Sequence, residues 1–85
     1  MRAIKDARKF IQENPSHAAA QLLSRLVLAL ESDTEFPIGE LYKLGYDHFD
    51  LAIEIVREWR LDRYYVGKGR LLDLSQQVTE LARSH

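Results

Sequence analysis

Residues 45–74 read GYDHFDLAIEIVREWRLDRYYVGKGRLLDL, and the fold turns on how this run divides. Gly45-Tyr46-Asp47 has turn chemistry. Glycine can take the left-handed position that closes one helix, and aspartate is a good N-cap for the next. His48 to Arg60 then keeps helical period. Phe49, Ala52, Ile53, Val56 and Trp59 converge on one side at about 100° per residue. Beyond Arg60 the composition shifts toward strand formers. Leu61-Asp62-Arg63-Tyr64-Tyr65-Val66 is rich in them, Leu71-Leu72-Asp73-Leu74 less clearly so. Gly67-Lys68-Gly69-Arg70 between the two has the make-up of a hairpin turn. Asp73 can also cap a short closing helix, with Gln76 completing a capping box and Leu74, Val78, Leu81 and Ala82 as its apolar side.

Upstream, Ile38 to Leu44 reads as a short helix carrying Ile38, Leu41, Tyr42 and Leu44. Ser32 to Glu35 is turn-rich, and Thr34–Phe36 is compatible with a single edge strand ending at Pro37. The first helix carries Ile4, Ala7 and Ile11 at helical spacing, with Phe10 beside them and Arg2, Lys5, Arg8 and Lys9 on the remaining surface. Asn14-Pro15 ends it, since a residue before proline avoids the α region, and Asn14 can cap the next helix. That helix runs from about Ser16 to Glu31, with Ala19, Leu22, Leu23, Leu26, Val27 and Leu30 in a wide stripe. The expected core is Leu22, Leu23, Leu26, Leu41, Ala52, Ile53, Val56 and Trp59.

Two helices joined by a glycine-containing turn form a helix-turn-helix unit, and a hairpin directly after the second helix is a wing. From about Ser16 to Leu74 the chain therefore resembles the winged helix-turn-helix superfamily. The expected fold is mainly α with a small β-hairpin, in one domain over 1–85. It comprises an N-terminal helix (1–13), the winged core (16–74) and a short C-terminal helix (75–85). The resemblance implies DNA binding, commonly in transcription regulation, although a minority of such domains bind only proteins. It places His48 to Arg60 in the major groove and the wing on phosphates. On this chain Lys68, Arg70 and Arg63 would meet phosphates, and Lys43 and Arg57 would lie nearest the groove.

The charges point elsewhere. The 85 residues are 46% hydrophobic and 29% charged, enough apolar material for one collapsed domain. The net charge of −1 supplies no general attraction to polyanions. Residues 33–60, which hold the helix-turn-helix, carry three basic residues against seven acidic ones. Asp50, Glu54 and Glu58 recur at i+4 on the side opposite the expected core, where a row of carboxylates would repel phosphates. Two routes to duplex DNA remain: the wing together with the basic first helix, or a homodimer that combines two wings. The alternative is an adaptor that binds a basic protein surface through Tyr46, Asp50, Glu54 and Glu58. Tyr64 and Tyr65 are further contact candidates, since tyrosine is enriched in interface cores.

Other classes lack their parts. There is no cysteine, which excludes disulfides, a thiolate nucleophile and a cysteine zinc site. His17, His48 and His85 show no metal-ligand spacing, and Gly67-Lys68-Gly69-Arg70 is not a phosphate loop. Neither enzyme activity nor a cofactor is expected. The most apolar stretch, Ala18 to Leu30, is shorter than the roughly 20 residues of a membrane span. The charged start, Met1 to Asp6, is unlike a signal peptide, so a cytoplasmic protein is expected.

Overall fold

The structure is a computed structural model and describes residues 2–61 and 66–83. It contains α1 (Arg2–Glu13), α2 (Ala18–Ser32), a 3₁₀ helix (Ile38–Lys43), α3 (Tyr46–Leu61) and α4 (Val66–Arg83). Among the described residues there is no strand, and residues 34–37 are irregular. The proposed edge strand at Thr34–Phe36 is therefore not formed. No helix among the described residues is long and apolar enough to cross a membrane.

The first two helices are delimited by side chains close to the expected junction. Asn14 donates both its backbone N–H and its side-chain amide to the carbonyl of Phe10, each at 3.0 Å, and so closes α1. It does not cap α2, whose first residue is Ala18. That role passes to His17, whose Nδ1 accepts the Ala19 N–H at 3.0 Å. The left-handed residue among the described residues is Asp33 (φ 55°), whose N–H donates to the Ala29 carbonyl and closes α2. Gly45 has no positive φ, contrary to the sequence reading. The 3₁₀ helix instead ends at Leu44 in an extended conformation, and the Gly45 carbonyl accepts the Phe49 N–H at 2.8 Å to begin α3. Asp47 lies inside the first turn of α3 rather than at its cap.

The β-hairpin wing is the main correction, and with it the winged-helix fold. The expected turn residues Lys68, Gly69 and Arg70, and the expected second strand Leu71–Leu74, all lie within the 18-residue helix α4. The expected first strand falls largely on residues 62–65, outside the described residues. The reason is periodicity. Lys68, Leu71, Ser75 and Val78 are buried at i, i+3, i+7 and i+10, a spacing only a helix can turn to one side. Strand-like composition over four residues yields to a helical face sustained over eleven.

Helix α1 lies against both α3 and α4, and α2 against the same two. The interior is filled by Ile4 and Ile11 of α1, Leu23 and Val27 of α2, Ile55 of α3 and Leu71 of α4, all inaccessible to solvent. Each such aliphatic side chain contributes about 1.5–3 kcal/mol on burial. Of the expected core, Leu22, Leu23, Leu26, Leu41, Ala52 and Trp59 are buried, but Ile53 and Val56 are not. That exception determines the surface described next.

Candidate functional site

Helix α3 has apolar residues on two adjacent arcs, and a bundle this small can cover only one. The arc that wins holds Ala52, Ile55 and Trp59, all buried, with Leu51 half-buried beside them. Relative to the sequence reading, α3 is turned by roughly 70° about its axis, at about 100° per residue. The second arc is left facing solvent. It carries Tyr46, Phe49, Ile53 and Val56, spaced i, i+3, i+7 and i+10 over about 15 Å of helix. Ile53 and Val56 are 38% and 39% exposed, Tyr46 is 94% exposed, and Phe49 is half-buried. Tyr42, from the 3₁₀ helix, is 75% exposed and lays its ring nearly parallel to that of Phe49, with centroids 6.1 Å apart.

An acidic edge runs beside this stripe. Asp47 and Asp50 are exposed and have no ion pair among the described residues. Glu54 follows one turn on, and its carboxylate lies 3.6 Å from the Arg57 guanidinium. At the near end, the Lys43 ammonium is held by Glu40, which Arg25 also approaches at 3.6 Å. The hydrogen bond from Lys43, reinforced by the charges of Lys43 and Arg25, holds the Glu40 carboxyl below the usual glutamate range. Lys43 and Arg57 are thus each engaged with a neighbouring carboxylate.

Glu58 does not belong to that edge. Its carboxylate turns under the start of α1 and accepts the N–H groups of Ala3 (2.8 Å) and Ile4 (3.2 Å). A carboxylate there satisfies orphan donors and meets the positive end of the helix dipole. The expected row Asp50–Glu54–Glu58 is thereby divided: two members face solvent and the third fastens α1 to α3.

The expected DNA contacts are likewise dispersed. Lys68 is buried, not at a wing tip. Its Nζ donates to the Trp59 carbonyl at 3.0 Å, near the end of α3, and stands 4.6 Å from the centre of the Trp59 ring. Arg70 is exposed on α4 and shares a shallow cleft with Arg8, Gln12, Asp73 and Gln77. Arg63, Tyr64 and Tyr65 lie outside the described residues. The structure therefore brings Tyr46, Asp50 and Glu54 onto one face and leaves Lys43, Arg57, Lys68 and Arg70 apart.

Family models, curated proteins and solved structures yield no match to this chain. What the face can bind must follow from its own chemistry. Sequence reasoning missed Tyr42, Ile53 and Val56 as surface residues, whereas Phe49 is half-buried against the core as its spacing implied. The available signal was Tyr46 and Phe49 at i and i+3 on α3 beside Asp50; the extended Leu44 breaks the helical register before Tyr42, whose ring meets Phe49 only in the fold.

Proposed function

We propose that the chain is a cytoplasmic protein-recognition module whose exposed α3 face receives a basic amphipathic helix from another protein. The observation that carries this is the uncovered stripe Tyr46–Phe49–Ile53–Val56 with the acidic edge Asp47–Asp50–Glu54 along it. Contiguous apolar surface rimmed by polar groups marks an interaction site, and tyrosine is enriched in interface cores. A spacing of i, i+3, i+7 and i+10 suits a partner helix laid alongside. Asp47 and Asp50, without counter-charges among the described residues, select a partner with lysine or arginine on its flank.

The test uses two synthetic helical peptides with the same leucine face, one flanked by lysine and one by glutamate. Calorimetric titration should show binding of the lysine peptide, weakened by salt and lost by at least about tenfold in Ile53→Lys. Ile53 is on the surface, so the substitution leaves the core intact. Equal binding of the glutamate peptide, or binding of neither, overturns the proposal.

Duplex DNA is the second reading. It is supported by Lys5, Arg8 and Lys9 of α1 and Arg70 of α4, none of which has an ion pair among the described residues. Affinity would then fall steeply with salt and with Arg8→Ala. Absence of a mobility shift on any duplex at low salt refutes it.

A further inference from the structure

At the N-terminal end of the exposed stripe, the 3₁₀ helix and α3 flank an open cleft of about 560 Å³ lined by Tyr42, Leu44, Gly45, Tyr46, Phe49 and Asp50. This volume falls in the range of ligand pockets, about 300–1,000 Å³. Tyr42 and Phe49 form a wall of two nearly parallel rings, 14° between planes. Tyr46 also lines the cleft and is 94% exposed. Asp50 is exposed at the rim without a counter-charge among the described residues. The nearest lysine in sequence, Lys43, is engaged by Glu40 and does not fill the role.

We infer that this cleft is an aromatic cage for a methylated ammonium group, with Tyr42, Tyr46 and Phe49 facing the cation and Asp50 supplying the opposite charge. The negative face of each ring attracts a cation, and cages of this composition recognise quaternary ammonium groups. The rings also explain why methylation matters. A primary ammonium is compact and strongly hydrated, and the rings replace little of the water that it must shed. A trimethylammonium has no N–H to satisfy, sheds water more readily and presents methyl groups to the rings. Gly45 leaves the base of the cleft open, since no atom lies within 4 Å of where its Cβ would stand. The inference deepens the docking role of the α3 face by naming the group its acidic end takes. The same chemistry occurs on a methylated lysine of a partner protein and on a free quaternary amine.

The experiment follows the ring protons of Tyr42, Tyr46 and Phe49 by NMR during titration with tetramethylammonium chloride, against ammonium chloride at equal ionic strength. Saturable shifts with tetramethylammonium alone are expected. They should be retained in Tyr46→Phe, weakened about two- to fivefold in Tyr46→Ala, and reduced in Asp50→Asn. Choline and a trimethyl-lysine peptide distinguish the sources. Tighter binding of the peptide than of its unmethylated form and of choline assigns the cage to a modified protein. Equal binding of choline and the peptide assigns it to a free amine. No shift specific to tetramethylammonium, or a shift that survives Tyr46→Ala unchanged, overturns the inference. If the cage fails while the lysine-flanked peptide still binds and is lost in Ile53→Lys, the docking face stands without it. If tetramethylammonium binds and the peptide does not, the docking proposal falls alone.

Discussion

Replacing Gly69 by alanine separates a helix from a hairpin at the position where sequence and structure disagree most. Gly69 is the fourth residue of α4, is exposed, and has no atom within 4 Å of where a Cβ would be added. No glycine among the described residues has a positive φ. Alanine therefore fits without strain, and it lowers the backbone entropy that folding must overcome. Helix-interior glycine costs about 0.8–1.0 kcal/mol relative to alanine, and a first-turn position recovers somewhat less. Gly69→Ala should stabilise the protein by about 0.5–1 kcal/mol. Urea denaturation followed by circular dichroism would move its midpoint up by about 0.5–1 M, if m is near 1 kcal/mol/M and unchanged. In a thermal scan the rise would be roughly 2–8 °C for a chain of this size. A glycine at a left-handed hairpin position gives the opposite sign, since alanine there is strained. A midpoint lowered by a comparable amount would refute the helical account of residues 66–70.

Other outcomes follow from particular contacts. Glu58→Ala removes the acceptor for two N–H groups at the start of α1 and should cost about 1–2 kcal/mol, read by chemical denaturation; a loss under 0.3 kcal/mol would mean that the carboxylate is not a cap. Lys68→Ala should cost about 1–3 kcal/mol, because a buried hydrogen bond and its stem packing go together, while exposed Arg70→Ala should stay within about 0.5 kcal/mol. Equal small effects at both positions would return Lys68 to the surface. Glu40 makes stability pH-dependent in a definite sense. Its carboxyl is lowered in the folded state, so the unfolded chain binds the proton more readily. The contribution is complete above the ordinary glutamate value of about 4.3 and disappears as pH falls through the lower folded value. Glu40→Gln should therefore flatten the acid limb of a stability–pH curve, and an unchanged limb would count against the Lys43 and Arg25 contacts.

How much of this was legible depends on whether one pattern or two competed at each place. In α1 and α2 a single apolar stripe left no choice, and Ile4, Ala7, Ile11, Leu22, Leu23 and Leu26 are buried as their spacing requires. In α3 two stripes compete. Period alone cannot rank Ile53 and Val56 against Ile55, because the decision is made by neighbours distant in sequence. Part of that decision is Glu58, whose carboxylate accepts from the N–H groups of Ala3 and Ile4, far away in sequence. The wing was misread because Tyr64-Tyr65-Val66 and a glycine pair weigh toward strand and turn over a short window. The longer helical face through Leu71, Ser75 and Val78 starts ahead of Asp73, the residue whose capping chemistry suggests a later helix start. Lys68 was unreadable for a different reason. A lysine near glycine is ordinarily solvated, and only the fold brings the Trp59 carbonyl and ring to its ammonium. As for the candidate site, Tyr46, Asp50 and Glu54 were legible as an acidic, tyrosine-bearing surface. The apolar half of that surface became visible only once α3 had been turned.

The account depends above all on the exposed side of α3 being a place where another chain docks. The most direct measurement is a ¹H–¹⁵N correlation titration of the whole protein with the lysine-flanked amphipathic peptide, mapping which amides move. The shifts should cluster on residues 42–57 and spare the Arg8–Arg70 cleft between α1 and α4. Shifts centred on α1 and α4, or none at saturating peptide, would contradict it.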